Sequence, residues 1–258
     1  MSQQQSKLYR YRTLETGEMI GEFLPIAKDE IFANAVTTKT GSAFPADVLQ
    51  NLDQSCEMHN ALANLIGLKK SAFVNQEHKG KVLHAEKPGL LGNADAIISN
   101  MPGLGVCCRS ADCPLIIVVD PSSKSVGIAH ASWRSTLEKV SANMIEKMIE
   151  KLGANPQKMI ACISPSASPE NFEVGLEVYQ LAQEKLGQDA KYFFLPGETP
   201  DKKLFDLWSA NISQIQLAGI PFANTYTARV CTIEDPLYPS YRREKAATRF
   251  AAIAGVLD

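Results

Sequence analysis

Between Arg109 and Thr136 the chain reads RSADCPLIIVVDPSSKSVGIAHASWRST, and no other stretch restricts the fold as much. The apolar run Leu115–Val119 begins two residues after Cys113 and stops at Asp120-Pro121, a turn signal. After the polar loop Ser122-Ser123-Lys124, a second run, Ser125–Ala129, leads to His130. Two such runs around a short polar loop predict a β-hairpin. Its return strand brings the His130 imidazole back to the level of the Cys113 thiol. Beyond it, Ser135 and Glu138 have the spacing of a capping box. Leu137, Val140, Met144, Ile145, Met148, Ile149 and Leu152 then recur at helical spacing up to Gly153. The spacing predicts a helix start beside the imidazole, next to Arg134, whose open N–H groups suit an anion such as phosphate. Taken alone the pair is as compatible with packing as with chemistry. A strand cysteine is often a small core residue, and a lone histidine is often hydrogen-bonded structure.

Hydrophobic residues make up 45% of the 258 positions, enough for a sizeable core. Without a linker rich in Gly, Pro or Ser, a low-complexity segment or an internal repeat, the chain reads as one compact unit over residues 8–258 behind a frayed tail, 1–7. A net charge of −2 offers no general attraction to nucleic acid or to an anionic membrane. No apolar run approaches the roughly 20 residues that span a bilayer, and the start MSQQQSK lacks the apolar core of a signal peptide. A cytoplasmic chain working on small molecules is expected, its six cysteines reduced because none forms a C-x-x-C pair.

In chain order, strands are predicted around Leu8-Tyr9 and over Ile31–Thr38, the latter closed by a loop in which Lys39 can reach an anion. Ser55–Gly67 reads as a helix with Met58, Leu62, Leu65 and Ile66 on its apolar face and His59 in solvent. Ser71–Gln76 reads as a strand ending in NQEHKG, which places His78 at a strand end, with Lys81–Ala85 as its partner strand. Cys107 and Cys108, adjacent in a strand, must point to opposite faces. Strands over Lys158–Ser164 and Asn224–Thr232 and helices over Leu176–Leu186 and Leu207–Ala218 continue the alternation. Ser240–Lys245 is a basic stretch with one aromatic, a solvated face or an anion clamp.

Seven strings occur in an order that resembles one family: NQEHKG (75–80), SADCPLIIVVDP (110–121), HASWRS (130–135), EVG (173–175), DLWSAN (206–211), CT (231–232) and SYRR (240–243). It is the family once called laccase-domain or multicopper polyphenol oxidase proteins, now described as purine nucleoside phosphorylases and also as peptidoglycan editing factors. The resemblance implies a mixed α/β fold, a four-layer sandwich of mixed β-sheets flanked by helices. It implies zinc on His78, Cys113 and His130. The implied activity is phosphorolysis of adenosine, inosine and methylthioadenosine, accompanied by adenosine deamination. Gln76 and Trp133, within the matching motifs, are carried over as substrate-binding residues. Departures lie in the pocket walls: Ser132-Trp133-Arg134-Ser135 stands for Gly-Trp-Arg-Gly, and Lys39 stands in the early arginine loop.

The donor set supports zinc without the family name. Two imidazoles and a thiolate leave a fourth tetrahedral position open, as in catalytic sites. Copper is the lesser reading, and four histidines are too few for a multinuclear copper oxidase. Phosphorolysis needs a held anion, for which Arg134, Lys39, Arg242 and Arg243 are the candidates. Asp112 is either a group that accepts a proton or hydrogen-bonds a ribose hydroxyl, or one that orients its neighbours. Two other readings stay open. One is a hydrolase or amidase with Cys113 as nucleophile and His130 as base, suited to editing peptidoglycan precursors; the other is a metal-binding protein that catalyses nothing.

Overall fold

The computed structural model describes residues 8–28, 30–41, 43–245 and 248–258. The predicted tail, 1–7, lies outside them. The first half of the chain contains β1 (Tyr9–Thr13), β2 (Met19–Phe23), α1 (Leu24–Ala27), β3 (Phe32–Thr37), α2 (Ala46–Gln50), α3 (Leu52–Leu65), β4 (Lys70–Asn75), β5 (Val82–His84), β6 (Gly89–Asn93), β7 (Ala96–Ser99), β8 (Leu104–Ser110), β9 (Leu115–Asp120) and β10 (Ser125–His130). The second half contains α4 (Trp133–Leu137), α5 (Val140–Leu152), β11 (Ile160–Ile163), β12 (Glu173–Gly175), α6 (Leu176–Leu186), β13 (Phe194–Pro196), β14 (Lys202–Phe205), α7 (Leu207–Leu217), β15 (Thr225–Thr227), α8 (Tyr241–Glu244) and β16 (Phe250–Val256).

A seven-stranded sheet has the order β1-β2-β3-β16-β8-β4-β6, and a six-stranded sheet the order β15-β11-β9-β10-β7-β5. Both mix parallel and antiparallel pairs. Strand β9 shows how they stack. Leu115, Ile117 and Val119 face Val106, Cys108, Ala252 and Ala254 of the larger sheet, while Ile116 and Val118 face Val140, Met144 and Met148 of α5. A strand covered on both faces needs apolar residues at every position, which is why this run does not alternate. Each of these side chains contributes on the order of 2 kcal/mol by its burial. Gly127 on β10 lets α5 lie close, since a Cβ there would meet the Met148 sulfur at 2.9 Å. With α3 on the outer face of the larger sheet, the layers run helix, sheet, sheet, helix, as expected. A small sheet of order β12-β14-β13 packs with α6 in a lobe beside them. No helix among the described residues is long and apolar enough to cross a membrane.

Four expectations are corrected. The segment around Lys81–Ala85 does not pair with β4: β5 belongs to the other sheet, parallel to β7, because the chain crosses between sheets at residues 76–81. His59 is fully buried, stacked on Phe73 at 3.8 Å, so α3 turns Ser55, His59 and Ala63 inward together with Leu62 of the predicted face, with Met58 and Ile66 partly buried beside them. The long helix after His130 is two. Ser132 caps α4 by accepting from the Ser135 N–H, and a left-handed Lys139 separates α4 from α5. Ser135, read as the cap, donates its hydroxyl to the His130 carbonyl at 2.7 Å instead. The predicted strand 224–232 is short, because beyond Thr227 only an isolated bridge from Cys231 to Ser166 continues it.

Candidate metal centre and anion cleft

His130 is placed by the hairpin, where it pairs with Leu115, two residues from Cys113. His78 comes from the crossing between sheets, on a backbone with φ of +62°. Their rings lie 5.0 Å apart at 65°, and both line, with Cys113, a cleft of about 620 Å³. The three expected ligands therefore share one cavity. Among the described residues, the cluster whose ligand-type atoms all lie within 4.8 Å of one another is His78, Asp95 and His130, and Cys113 is not part of it. Asp95 was not singled out in the sequence, although it is the one acid between Glu86 and Asp112 and opens the apolar run of β7.

The Asp95 carboxylate is fully buried. Its Oδ1 accepts the His78 N–H at 2.7 Å, and its Oδ2 accepts those of Lys79 at 2.5 Å and Gly80 at 2.9 Å. Burial by itself would raise the carboxyl's pKa, but the neighbouring His130 and these three donors bring it below the usual value. For His130, burial works against the charged ring, yet Asp95 and Cys113 more than offset it and raise its pKa to about 9. Its Nδ1 is 3.9 Å from Asp95 Oδ1, too long for a hydrogen bond, so the atom is buried with no partner. His78 is held below the ordinary value by desolvation and by the charge of His130, against the pull of Asp95.

The rest of the cleft is basic and aromatic. Arg134 stacks on Trp133 with its guanidinium carbon 4.1 Å from the ring centre and makes no ion pair among the described residues. Arg242 stacks on Phe172 at 4.6 Å and donates from Nη1 to the Glu173 carbonyl. Arg109, Arg249 and Tyr241 also line the cleft; Tyr241 is the aromatic of the predicted basic stretch, and the two arginines were not foreseen. Arg109 and Arg249 sit near each other because β8 and β16 pair Arg109 with Ala251, two residues from Arg249 on the same face. Asp112, left-handed at φ +86°, accepts the Thr232 hydroxyl at 2.8 Å on one oxygen and the Arg242 N–H at 2.7 Å on the other. It anchors the arginine helix. Gln76 borders the cleft but spends its amide on the backbone of Arg109, donating at 2.7 Å and accepting at 2.9 Å.

Two expected anion partners are turned elsewhere. Lys39 forms an ion pair with Glu244 at 2.6 Å, and Arg243 donates to the carbonyls of Thr232 and Tyr238 at 2.6 and 2.7 Å. Neither lines the cleft. Arg243 is a strut for the turn before α8.

The family model described as multi-copper polyphenol oxidoreductase laccase matches residues 44–256. The chain belongs to this family. A Deinococcus radiodurans protein named purine nucleoside phosphorylase is 30% identical over 234 residues, 86% of this chain and 88% of that one. A Bacteroides thetaiotaomicron protein of the same name is 35% identical over 147 residues, 57% of this chain and about half, 54%, of that protein's length. The crystal structure of a Bacillus licheniformis hypothetical protein, YfiH, superimposes with a TM-score of 0.83 at 21% identity, covering 95% of this chain and 98% of that one; it shares the fold. The oxidase part of the family's description finds little to build on here. Of the four histidines, His59 lies in the core and His84 in β5, which leaves His78 and His130 in the cleft.

Proposed function

We propose that the chain is an enzyme of purine metabolism, a zinc-dependent purine nucleoside phosphorylase that takes adenosine, inosine or methylthioadenosine with phosphate and also deaminates adenosine. The observation that carries the reading is the meeting, in one cleft, of a His-His-Cys donor set with arginines stacked on aromatic rings. The names of the relatives point the same way. The donor set fits zinc: the two imidazoles are adjacent, the thiol borders one of them, and the buried Nδ1 of His130 faces a carboxylate while the ring also lines the cleft. His78, Cys113 and His130 would hold the ion, which supplies a Lewis acid for negative charge that develops as the glycosidic bond breaks.

The chain's own groups account for the rest. In phosphorolysis a phosphate oxygen bonds to the ribose C1′ as the bond from C1′ to the purine breaks; the bonding electrons leave with the purine, which takes up a proton. Arg134 and Arg242 hold the phosphate and bring it to C1′, and each is kept extended by its stacking contact rather than by an acidic partner. Trp133 and Tyr241 offer aromatic faces to the purine. Asp112 orients Arg242, both of its oxygens being occupied.

Incubating the purified protein with adenosine and phosphate, alongside metal analysis, tests this. Adenine and ribose 1-phosphate should form in step with zinc content. Zinc uptake without release of any purine base would leave a metal-binding protein. The contact of Cys113 with His130 also suits a thiol nucleophile and its base, so a second reading is a cysteine hydrolase or amidase acting on peptidoglycan precursors. Activity that survives removal of the metal by a chelator favours it.

A further inference from the structure

We propose that Asp95 is the positioning residue of the metal centre, one buried carboxylate that shapes the loop carrying His78 and selects which ring nitrogen His130 turns to the cleft. This rests on the metal reading of the site.

Consider first the loop. Residues 78–80 leave β4 and enter β5 in the other sheet, so no ladder satisfies their N–H groups. Two of the three, His78 and Gly80, have positive φ, +62° and +72°. Successive N–H groups in such a turn form a concave donor set that suits an anion. Here the anion is supplied by the chain, since all three N–H groups converge on Asp95. Closeness to α4 limits the alternatives, because a Cβ on Gly80 would meet the Glu138 carbonyl oxygen at 2.9 Å. With the carboxylate removed, three donors lose their acceptor, and the turn that carries His78 keeps only the ties at its far end, such as that of Asn143 to the Gly80 carbonyl.

The second hold is on His130. The Asp95 carbonyl accepts the His130 N–H at 2.7 Å, which pins the end of β10. The carboxylate faces the ring as well. A carboxylate offers about four acceptor directions. Three are filled by N–H groups, and the open one belongs to Oδ1, the oxygen 3.9 Å from the unpartnered His130 Nδ1. A ring shift of about 1 Å would close that gap to a hydrogen bond. Nδ1 then carries the proton, and Nε2 presents its lone pair to the cleft, as is usual where a carboxylate backs a metal-binding histidine.

The same geometry speaks against Asp95 as a ligand. It has no exposed surface and does not line the cleft, and its one open acceptor direction is turned to the His130 ring rather than to the cleft.

The test uses the full chain and zinc alone. Asp95→Asn keeps the shape of the side chain, removes the charge and sets an NH2 group against a backbone donor. Competition against a chromophoric chelator should show zinc binding weakened about 10- to 100-fold, and the cobalt-substituted variant should have an altered ligand-field spectrum. Wild-type zinc affinity and an unchanged cobalt spectrum in this variant would overturn the proposal and leave the metal reading intact. A second measurement needs no variant. Long-range proton–nitrogen correlation of the zinc-loaded wild type, with four histidines to assign, should show His130 bound through Nε2 and protonated on Nδ1. Zinc on Nδ1 of His130 would overturn it, and a wild type that takes up no zinc would overturn both this assignment and the metal reading.

Discussion

At one end of the cleft the donor side chains hang from backbone that is tied in place, buried at His130 and exposed at His78. His130 closes a hairpin strand, and His78 sits in a turn tied by three N–H groups to Asp95. At the other end Arg134 and Arg242 lie exposed, steadied by stacking on Trp133 and Phe172 and by one carbonyl contact. The first arrangement holds the backbone that carries the donors, as a metal site requires. The second lets charged groups follow an anion that arrives and leaves. Damage should therefore be of two kinds: loss of the ion with all chemistry at the donor end, and weaker capture of one substrate at the arginine end.

The largest effect is expected for His78→Ala. Zinc content and adenosine phosphorolysis should fall together, activity by more than about a hundredfold, as metal analysis and a product assay on the same preparation will show. A metal-free variant that kept most of its activity would refute the zinc assignment and favour the cysteine hydrolase, which has no need of this residue. Cys113→Ser comes next. A neutral hydroxyl is a poor substitute for a thiolate ligand, so most of the metal and most of the rate should be lost in parallel. If Cys113 acts as a nucleophile instead, the wild type will keep working after a chelator has stripped its zinc.

Arg134→Ala probes the arginine end. The phosphate KM should rise by about tenfold, the worth of one charge-assisted contact, while the nucleoside KM and the zinc content stay as they are. Equal losses for both substrates would mean that Arg134 supports Trp133 rather than binding phosphate, and the contrast between the two ends would blur.

What could be read in the sequence follows the same division. The hairpin was legible because two apolar runs around Asp120-Pro121 specify it locally, and its register alone brings His130 to Leu115. The layering of sheets between helices came with the resemblance, and the unalternating run of β9 agrees with it. Asp95 was not legible, because its partners are 15 to 17 residues away across a passage between sheets that no periodicity announces. The same passage made Lys81–Ala85 look like a partner of β4. Ser135 and Glu138 imitated a capping box, and the true cap, Ser132, lies three residues earlier, where the chain has just left a strand. Lys39 and Arg243 were chosen for their charge, but Glu244 and the carbonyls before α8 had the prior claim on them.

The smallest effect on activity, and a check on what distinguishes a cleft histidine from a core one, is expected at His59. It is stacked on Phe73 and near Phe44, with Nδ1 2.6 Å from the Ser55 carbonyl, so Nδ1 is the donor and Nε2 is left buried without a partner. Burial, helped by the positive charge of Arg109 and only partly opposed by the Ser55 carbonyl, lowers its pKa to about 3. The folded value lies below the unfolded one of about 6.5. The unfolded chain therefore binds the proton first, and the stability that His59 permits is complete above about pH 6.5 and is lost as pH falls toward 3. At about 1.4 kcal/mol per unit the loss over that range is a few kcal/mol. His59→Phe removes the titration. Denaturant unfolding of the metal-free proteins from pH 7 to pH 4 should show the variant gaining on the wild type as the solution is acidified, with zinc binding and phosphorolysis at neutral pH unaltered. A stability difference that does not change with pH would mean that the ring is not held neutral, and that burial alone does not separate this histidine from His78 and His130.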